Sequence, residues 1–281
     1  DARAMPPAVK CADASAGEAS FIRSGCLAGL RSDGRGCTQY RTAQIDLGVF
    51  PHASGSCRLQ LGGTLVTAAV CAEISSPPAD RPGEGRVNVL VSSHSLAADV
   101  PALQRALERL LTAAGCGLPL EQLAIIQGEQ CWEMLVACAV LRSDGNELDA
   151  LAMAVAGALC DTRLPKVTPI SVAQAGDHAM LELDEDITEY SQLDVTRMPL
   201  YVTVALVGGQ RVFDCTALEE ACASATVSVA CSADGTQGAV AMAGPEAVDV
   251  SELRDVLKAA RAQAATLHAS FWDEIFSRRE P

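Results

Sequence analysis

The chain has 281 residues, room for one large domain or two fused halves, and is 49% apolar but only 4% aromatic. Its core must therefore come mainly from Ala, Val and Leu, small side chains that let helices and sheets approach closely. The net charge of −14 argues against a solitary nucleic-acid binder, which needs a basic face for phosphate contacts, and no apolar run reaches the ~18 to 20 residues of a membrane span.

Residues 1–20, rich in Ala, Pro and Ser, read as a mobile tail or a short leading helix, with order beginning near Phe21. The start, at Asp1, shows no leader pattern. Tyr40 to Phe50 alternates loosely and reads as a strand. Gly55 to Ile74 reads as two strands around Gly62-Gly63, a dipeptide suited to a tight hairpin. A Pro/Gly loop from Ser75 to Arg86 leads into the strand "VNVLVS". Asp99 then caps a helix with Pro101 in its first turn and Leu103, Leu107, Leu110 and Ala114 as its stripe, ending at Gly115. "LAIIQ" and "CWEMLVACAVL" read as strands, the second long, central and apolar on both faces. The turn Asp144-Gly145-Asn146 opens a helix that is apolar nearly all round, hence buried, although Asp149 interrupts it.

From Ala175 to Asp194 there are seven acids and no Lys or Arg. They alternate with apolar residues as a solvated edge hairpin would, the bland rival of a metal cluster. "LYVTVALVGGQRVFD" reads as a hairpin around Gly208-Gly209, and "ATVSVAC" with "GAVAMAG" as another around Asp234-Gly235. A final helix starts at Asp249, with Glu252 completing a capping box. Its stripe is Leu253, Leu257, Ala260, Ala264, Leu267, Phe271 and Ile275. Trp132 and Trp272 fall on apolar elements and read as core or interface residues. Strands in hairpin blocks give an α+β fold with mixed sheets. Twelve cysteines are present, but the closest pairs, Cys131/Cys138 and Cys215/Cys222, are seven apart. Free thiols in a reducing compartment are expected, with no metal site and no cofactor.

Four ordered stretches carry a resemblance: "LRSDGRGCTQYR" from Leu30, "GSCRLQLGGTLVTAAVCAE" from Gly55, "CWEMLVACAVLRSDGNELDALAMAVAGAL" from Cys131 and "VFDCTALEEACASATVSV" from Val212. Together they resemble the RNase PH-like family, and "ALCDTRLPKV" with "LHAS" resembles its branch that builds the ring of the RNA exosome. The resemblance implies two similar βαβα-type halves with flanking helices, roughly residues 21–164 and 165–281 behind the tail. It also implies a six-membered ring with other RNase PH-like subunits, capped by S1/KH subunits, associated with exoribonucleases and threaded by RNA, in nucleus, nucleolus and cytoplasm.

Active relatives use inorganic phosphate to cleave RNA from its 3′ end, holding the anion on a Gly-Gly-Thr-Arg turn. Here that run is Gly145-Asn146-Glu147-Leu148. Losing Arg removes a charge-assisted contact, and Glu147 adds repulsion on the order of 1 to 4 kcal/mol at 4 Å. Two aspartates of active relatives correspond to Glu220 and Thr226, and a hydroxyl cannot replace a carboxylate as proton shuttle or metal ligand. Glu147, Leu148, Glu220 and Thr226 thus mark a degenerate site, and a structural ring subunit is expected. The alternative is a phosphorolytic 3′-to-5′ exoribonuclease, alone or in a site shared with a partner. Asp214, Glu219 and Glu220 then bond backbone amides or arginines of a neighbouring subunit. Arg31, Arg35 and Arg41 stabilise either the fold or an interface. Arg105 and Arg109, one turn apart, either face an RNA channel or lie on a solvated helix face with Glu108.

Overall fold

The structure, a computed structural model, describes residues 14–94, 99–113, 117–170, 180–183 and 189–279. The first sheet runs β1 (Ala43–Leu47), β2 (Gly55–Leu61), β3 (Thr64–Ser75), β6 (Gln130–Arg142) and β4 (Arg86–Ser93), with β5 (Ala124–Ile126) pairing β6. All its pairings are antiparallel except β4 with β6, so the sheet is mixed. β6 is central, as its sequence predicts, but only one of its faces is closed. Trp132, Met134, Val136, Cys138 and Val140 are buried, whereas Ala137 and Leu141 are exposed, because helices cover a single side.

The second sheet orders β12 (Gln210–Phe213), β11 (Leu200–Val207), β13 (Ala225–Cys231) and β14 (Gln237–Ala243), all antiparallel. Two short ribbons complete the strands. β7 (Arg163–Pro165) pairs β10 (Tyr190–Gln192), and β8 (Val167–Ile170) pairs β9 (Met180–Leu183). Half of the acidic stretch from Ala175 to Asp194, including four of its seven acids, lies outside the described residues.

Helix α3 (Glu147–Asp161) packs against β2 and β3 on one side and β11 on the other. Held between two sheets, it buries every residue from Asp149 to Cys160, which explains its run of Ala, Val and Leu. Helix α2 (Val100–Leu111) rests on β4 and β14, its first turn capped by the Asp99 carboxylate accepting from the Ala102 amide at 3.0 Å. Ala114 and Gly115, expected to close it, lie outside the described residues. Helix α5 (Val250–Arg279) spans β11, β13 and β1, burying Ala260, Ala264, Leu267, Phe271 and Ile275. Its start differs from the expected capping box: Asp249 accepts from the Ser251 amide at 3.1 Å, the nearer donor, rather than pairing with Glu252.

The N-terminal expectation needs correction. Helix α1 (Ala16–Leu27) crosses the predicted boundary at residue 20, because Ser15, six residues ahead of Phe21, forms a reciprocal capping box with Glu18. Ile22 and Cys26 pack with Ala205, Val207, Val212 and Cys222, so α1 sits on the second sheet although it precedes the first. Trp132 and Trp272 are both buried in the main core, and Trp272 meets Phe271 edge-on at 5.0 Å. The ten cysteines among the described residues are free thiols. Among those residues, no group of three acids, histidines or cysteines could hold a metal.

Candidate functional site

The turn before α3 is fixed by the chain around it. Gly145 has φ 80°, and a Cβ there would meet the Ala217 amide and the Cys215 carbonyl at 2.6 Å, so only glycine fits. Arg41 donates to the Asp144 carbonyl at 2.8 Å and the Gly145 carbonyl at 3.1 Å, and the Thr64 hydroxyl donates to the same Gly145 carbonyl at 2.7 Å. Asn146 follows in the left-handed region at φ 55°, a strained choice for a residue with a side chain. Its amide N–H donates to Glu220 Oε1 at 2.6 Å, and its Nδ2 donates to Asp214 Oδ1 at 2.8 Å and Asp149 Oδ2 at 3.2 Å. These bonds hold the strained conformation.

Behind the turn lies a buried charge cluster. Asp214, itself at φ 47°, receives Arg41 through its backbone amide, Nε and Nη2, and receives Arg35 at 3.0 Å. Burial pulls the Asp214 carboxyl upward, but Arg41 outweighs it and holds the group below its usual range. Arg31 forks onto Glu219 at 2.9 and 2.6 Å and donates to the Phe213 and Asp214 carbonyls. Asp149 accepts from the Thr203 amide, the Thr203 hydroxyl, Tyr40 and Asn146. Burial still pushes its carboxyl up to about 6.

In front of the turn is a cleft of about 450 Å³ between α2, the start of α3 and β13–β14. Four residues singled out from the sequence, Glu147, Leu148, Glu220 and Thr226, line it together. Burial pushes Glu220 up to about 7, with the charge of Glu147 adding to the shift, and burial also raises Glu147. Thr226, on β13, donates to the Ala243 carbonyl at 3.3 Å and offers no charge. Among the described residues, no Lys or Arg lines the cleft.

The outcome differs from expectation in one respect, the source of the arginines. Asp214 and Glu219 accept backbone amides as expected, from Arg41 at 2.7 Å and Thr216 at 2.9 Å, and they also bond to arginines of their own chain, since Arg31, Arg35 and Arg41 reach them across the fold. Those three arginines serve the fold. Glu220 likewise accepts a backbone amide. The short helix α4 (Ala217–Ala221) orients it, capped by Thr216 and Glu219. Arg105 and Arg109 are exposed on α2, outside the cleft lining. Sequence reasoning missed Asp149 and Asn146 as organising residues. A lone acid inside an apolar helix was the available signal for Asp149.

The family described as "3′ exoribonuclease family, domain 1" matches residues 39–165, and "3′ exoribonuclease family, domain 2" matches residues 197–263. "Exosome complex component Rrp42" of Sulfurisphaera tokodaii is 33% identical over 219 residues, 74% of this chain and 76% of the relative. The chain belongs to the RNase PH-like family. Its RNase PH-like fold extends along nearly the whole chain. "Exosome complex component Rrp42" of Thermococcus onnurineus is 28% identical over 271 residues, covering 92% of this chain and 96% of the relative. A solved chain described as "Archaeal exosome core" superposes with a TM-score of 0.76 at 26% identity, over 90% of this chain and 96% of that one. Within the RNase PH-like family, then, the resemblance points to Rrp42-type exosome components.

Proposed function

We propose that this chain is a structural subunit of an exosome-type ring that has lost phosphorolytic chemistry. One observation carries the reading. The amide at the start of α3, where an anion would be received, is occupied by the chain's own Glu220 carboxylate at 2.6 Å. Glu147 stands beside it, and Arg41, the nearby cation, is committed to Asp214. A phosphate entering here would displace an internal carboxylate and face a second one. The ~0.3 to 1 kcal/mol of a helix dipole near a surface does not offset that repulsion.

The subunit's contribution is therefore geometric: it completes a hetero-oligomeric ring with other RNase PH-like subunits. The names of its relatives support this assignment. In this reading the ring guides RNA to associated exoribonucleases, S1/KH subunits cap it, and its work is ribosomal RNA maturation and messenger RNA turnover in nucleus, nucleolus and cytoplasm. The exposed Arg105 and Arg109 are candidates for the channel wall. The net charge of −14 supports sharing RNA contact with more basic partners.

The test is direct. The purified chain, given a single-stranded RNA and inorganic phosphate, is expected to release no nucleoside diphosphates. Native mass measurement after purification from cells is expected to find it with other ring subunits. Phosphate-dependent release that disappears in Glu220→Ala would establish the exoribonuclease instead.

A further inference from the structure

The first sheet is ordered between β1 and β4 and the second between β12 and β14, and one of these edges is unlike the rest. β1, β4 and β12 each carry a charged residue, Asp46, Arg86 and Arg211, a usual guard against edge-to-edge pairing. β14, with the sequence QGAVAMA, has neither a charge nor a proline. Among the described residues, Gln237 to Ala243 form no backbone hydrogen bond outside their pairing with β13. In an antiparallel edge strand alternate residues turn both N–H and C=O away from the sheet, a template for another strand.

The side chains define the strand that fits. Val240 and Met242, 40% and 51% exposed, lie on one face beside Val229 and Val227 of β13, so an added strand would set alternate residues against apolar surface. Ala241 and Ala243 lie on the other face with Ser228 and Thr226, over the cleft. The intervening residues of an added strand would overhang that cleft, which Asp99, Glu147 and Glu220 line and, among the described residues, no Lys or Arg does. An apolar row and an acidic row thus alternate with the period of a strand.

We propose that an edge strand of a neighbouring ring subunit completes the second sheet at β14, alternating apolar residues beside Val240 and Met242 with Lys or Arg over the cleft. Main-chain bonds supply the affinity of such an addition and the alternating side chains its specificity. A second copy of this chain fits less well: two chains of net charge −14 repel, and another β14 brings no cation to the carboxylates. The proposal rests on the reading that the chain is a ring subunit, and it names the edge at which a more basic neighbour joins.

The experiment compares hydrogen exchange in the free chain with that in the ring purified through a tag on the full chain. Amides of Gln237 to Ala243 are expected to slow by about tenfold or more in the ring, at alternate residues, because strand pairing shields every second amide. Val240→Lys and Met242→Lys, which place a guard charge on the edge, should each release one neighbour, read by native mass measurement. Glu147→Lys, which repels the incoming cation, should release the same neighbour. Gln127→Lys adds the charge of Val240→Lys on the exposed turn between β5 and β6 and should leave the ring whole. A ring in which β14 exchanges as fast as in the free chain would overturn this pairing and leave the ring reading standing, as would equal loss of the neighbour in Gln127→Lys. Protection that grows with the concentration of the free chain would assign the edge to a second copy and overturn the proposal. A chain that purifies without ring subunits would overturn both readings. The exchange comparison uses the unaltered chain, so the test stands if a variant fails to fold.

Discussion

Asp149 is the residue on which the two sheets' contact with α3 turns. It is wholly buried, accepts four hydrogen bonds, and titrates near 6 rather than 3.8 because burial disfavours its charge. A folded-state value above the ordinary one means that protonation stabilises the fold. That contribution is fully present below about 3.8 and is lost as pH rises through about 6. His268, which burial pushes below its usual value, works in the opposite sense, so the comparison must be between chains. In Asp149→Asn the NH₂ can face the Thr203 hydroxyl, which has Ser228 as an alternative partner at 2.8 Å. Urea denaturation of both chains from about pH 4 to about pH 7 should show the variant gaining on the parent by a term on the order of 3 kcal/mol. A constant difference would mean that Asp149 carries no shifted titration. The Arg31–Glu219 fork makes a second residue-scale case. Arg31→Met or Glu219→Leu alone should cost about 3 to 5 kcal/mol by stranding a buried partner, while the double variant should cost clearly less than the sum. That Glu147, Leu148, Glu220 and Thr226 share one cleft was legible because an ordered motif carries its register. The cluster behind them was not, since Asp214 is 173 residues from Arg41 and 68 from Asn146, and no local pattern reports such a pairing.

Elements follow the sequence where a local rule suffices. The Gly62-Gly63 and Gly208-Gly209 turns join their strands as expected, and the absence of a polar face on α3 announces its burial. Where the deciding contact is distant, the rule falls short. β6 carries apolar residues on both sides, yet only the side under α3 is closed, and a single charged residue, Glu133, marks the open one. Close packing between α3 and β2 also sets a sharp limit on substitution. A Cβ at Gly157 would meet Cys57 Sγ at 2.8 Å and its Cβ at 3.3 Å. Gly157→Ala gains up to about 1 kcal/mol of helix propensity, but crowding in a dense core costs about 1 to 3 kcal/mol. A net loss is expected in the denaturation midpoint, and pairing it with Cys57→Ala should recover most of that loss by freeing the space. Failure of the pair to recover would place the strain elsewhere.

At the scale of the whole molecule, chain order and spatial order part company at the N-terminus. The family match begins at residue 39, yet α1 lies before it and closes the second sheet. Arg23 donates to the Cys222 carbonyl at 3.0 Å, and Ile22 and Cys26 cover the apolar patch that includes Val207, Val212 and Cys215. This arrangement makes the buried thiols local reporters of each half. Cys57 and Cys138 lie in the main core, Cys215 and Cys222 under α1, and only Cys37 and Cys71 among the ten described thiols are partly accessible. A disulfide-exchange reagent should therefore modify Cys37 and Cys71 first in the intact chain, because burial raises the pKa of the others named and withholds the reactive thiolate. In a chain lacking residues 1–30, which keeps Arg31 and its partners, Cys215 and Cys222 should join the reactive set while Cys57 and Cys138 stay protected. Opening confined to one patch is what a weakly held peripheral unit predicts. Simultaneous reaction of all the thiols would instead make α1 part of a single cooperative unit with the main core, and its place on the second sheet would then matter to the fold as a whole.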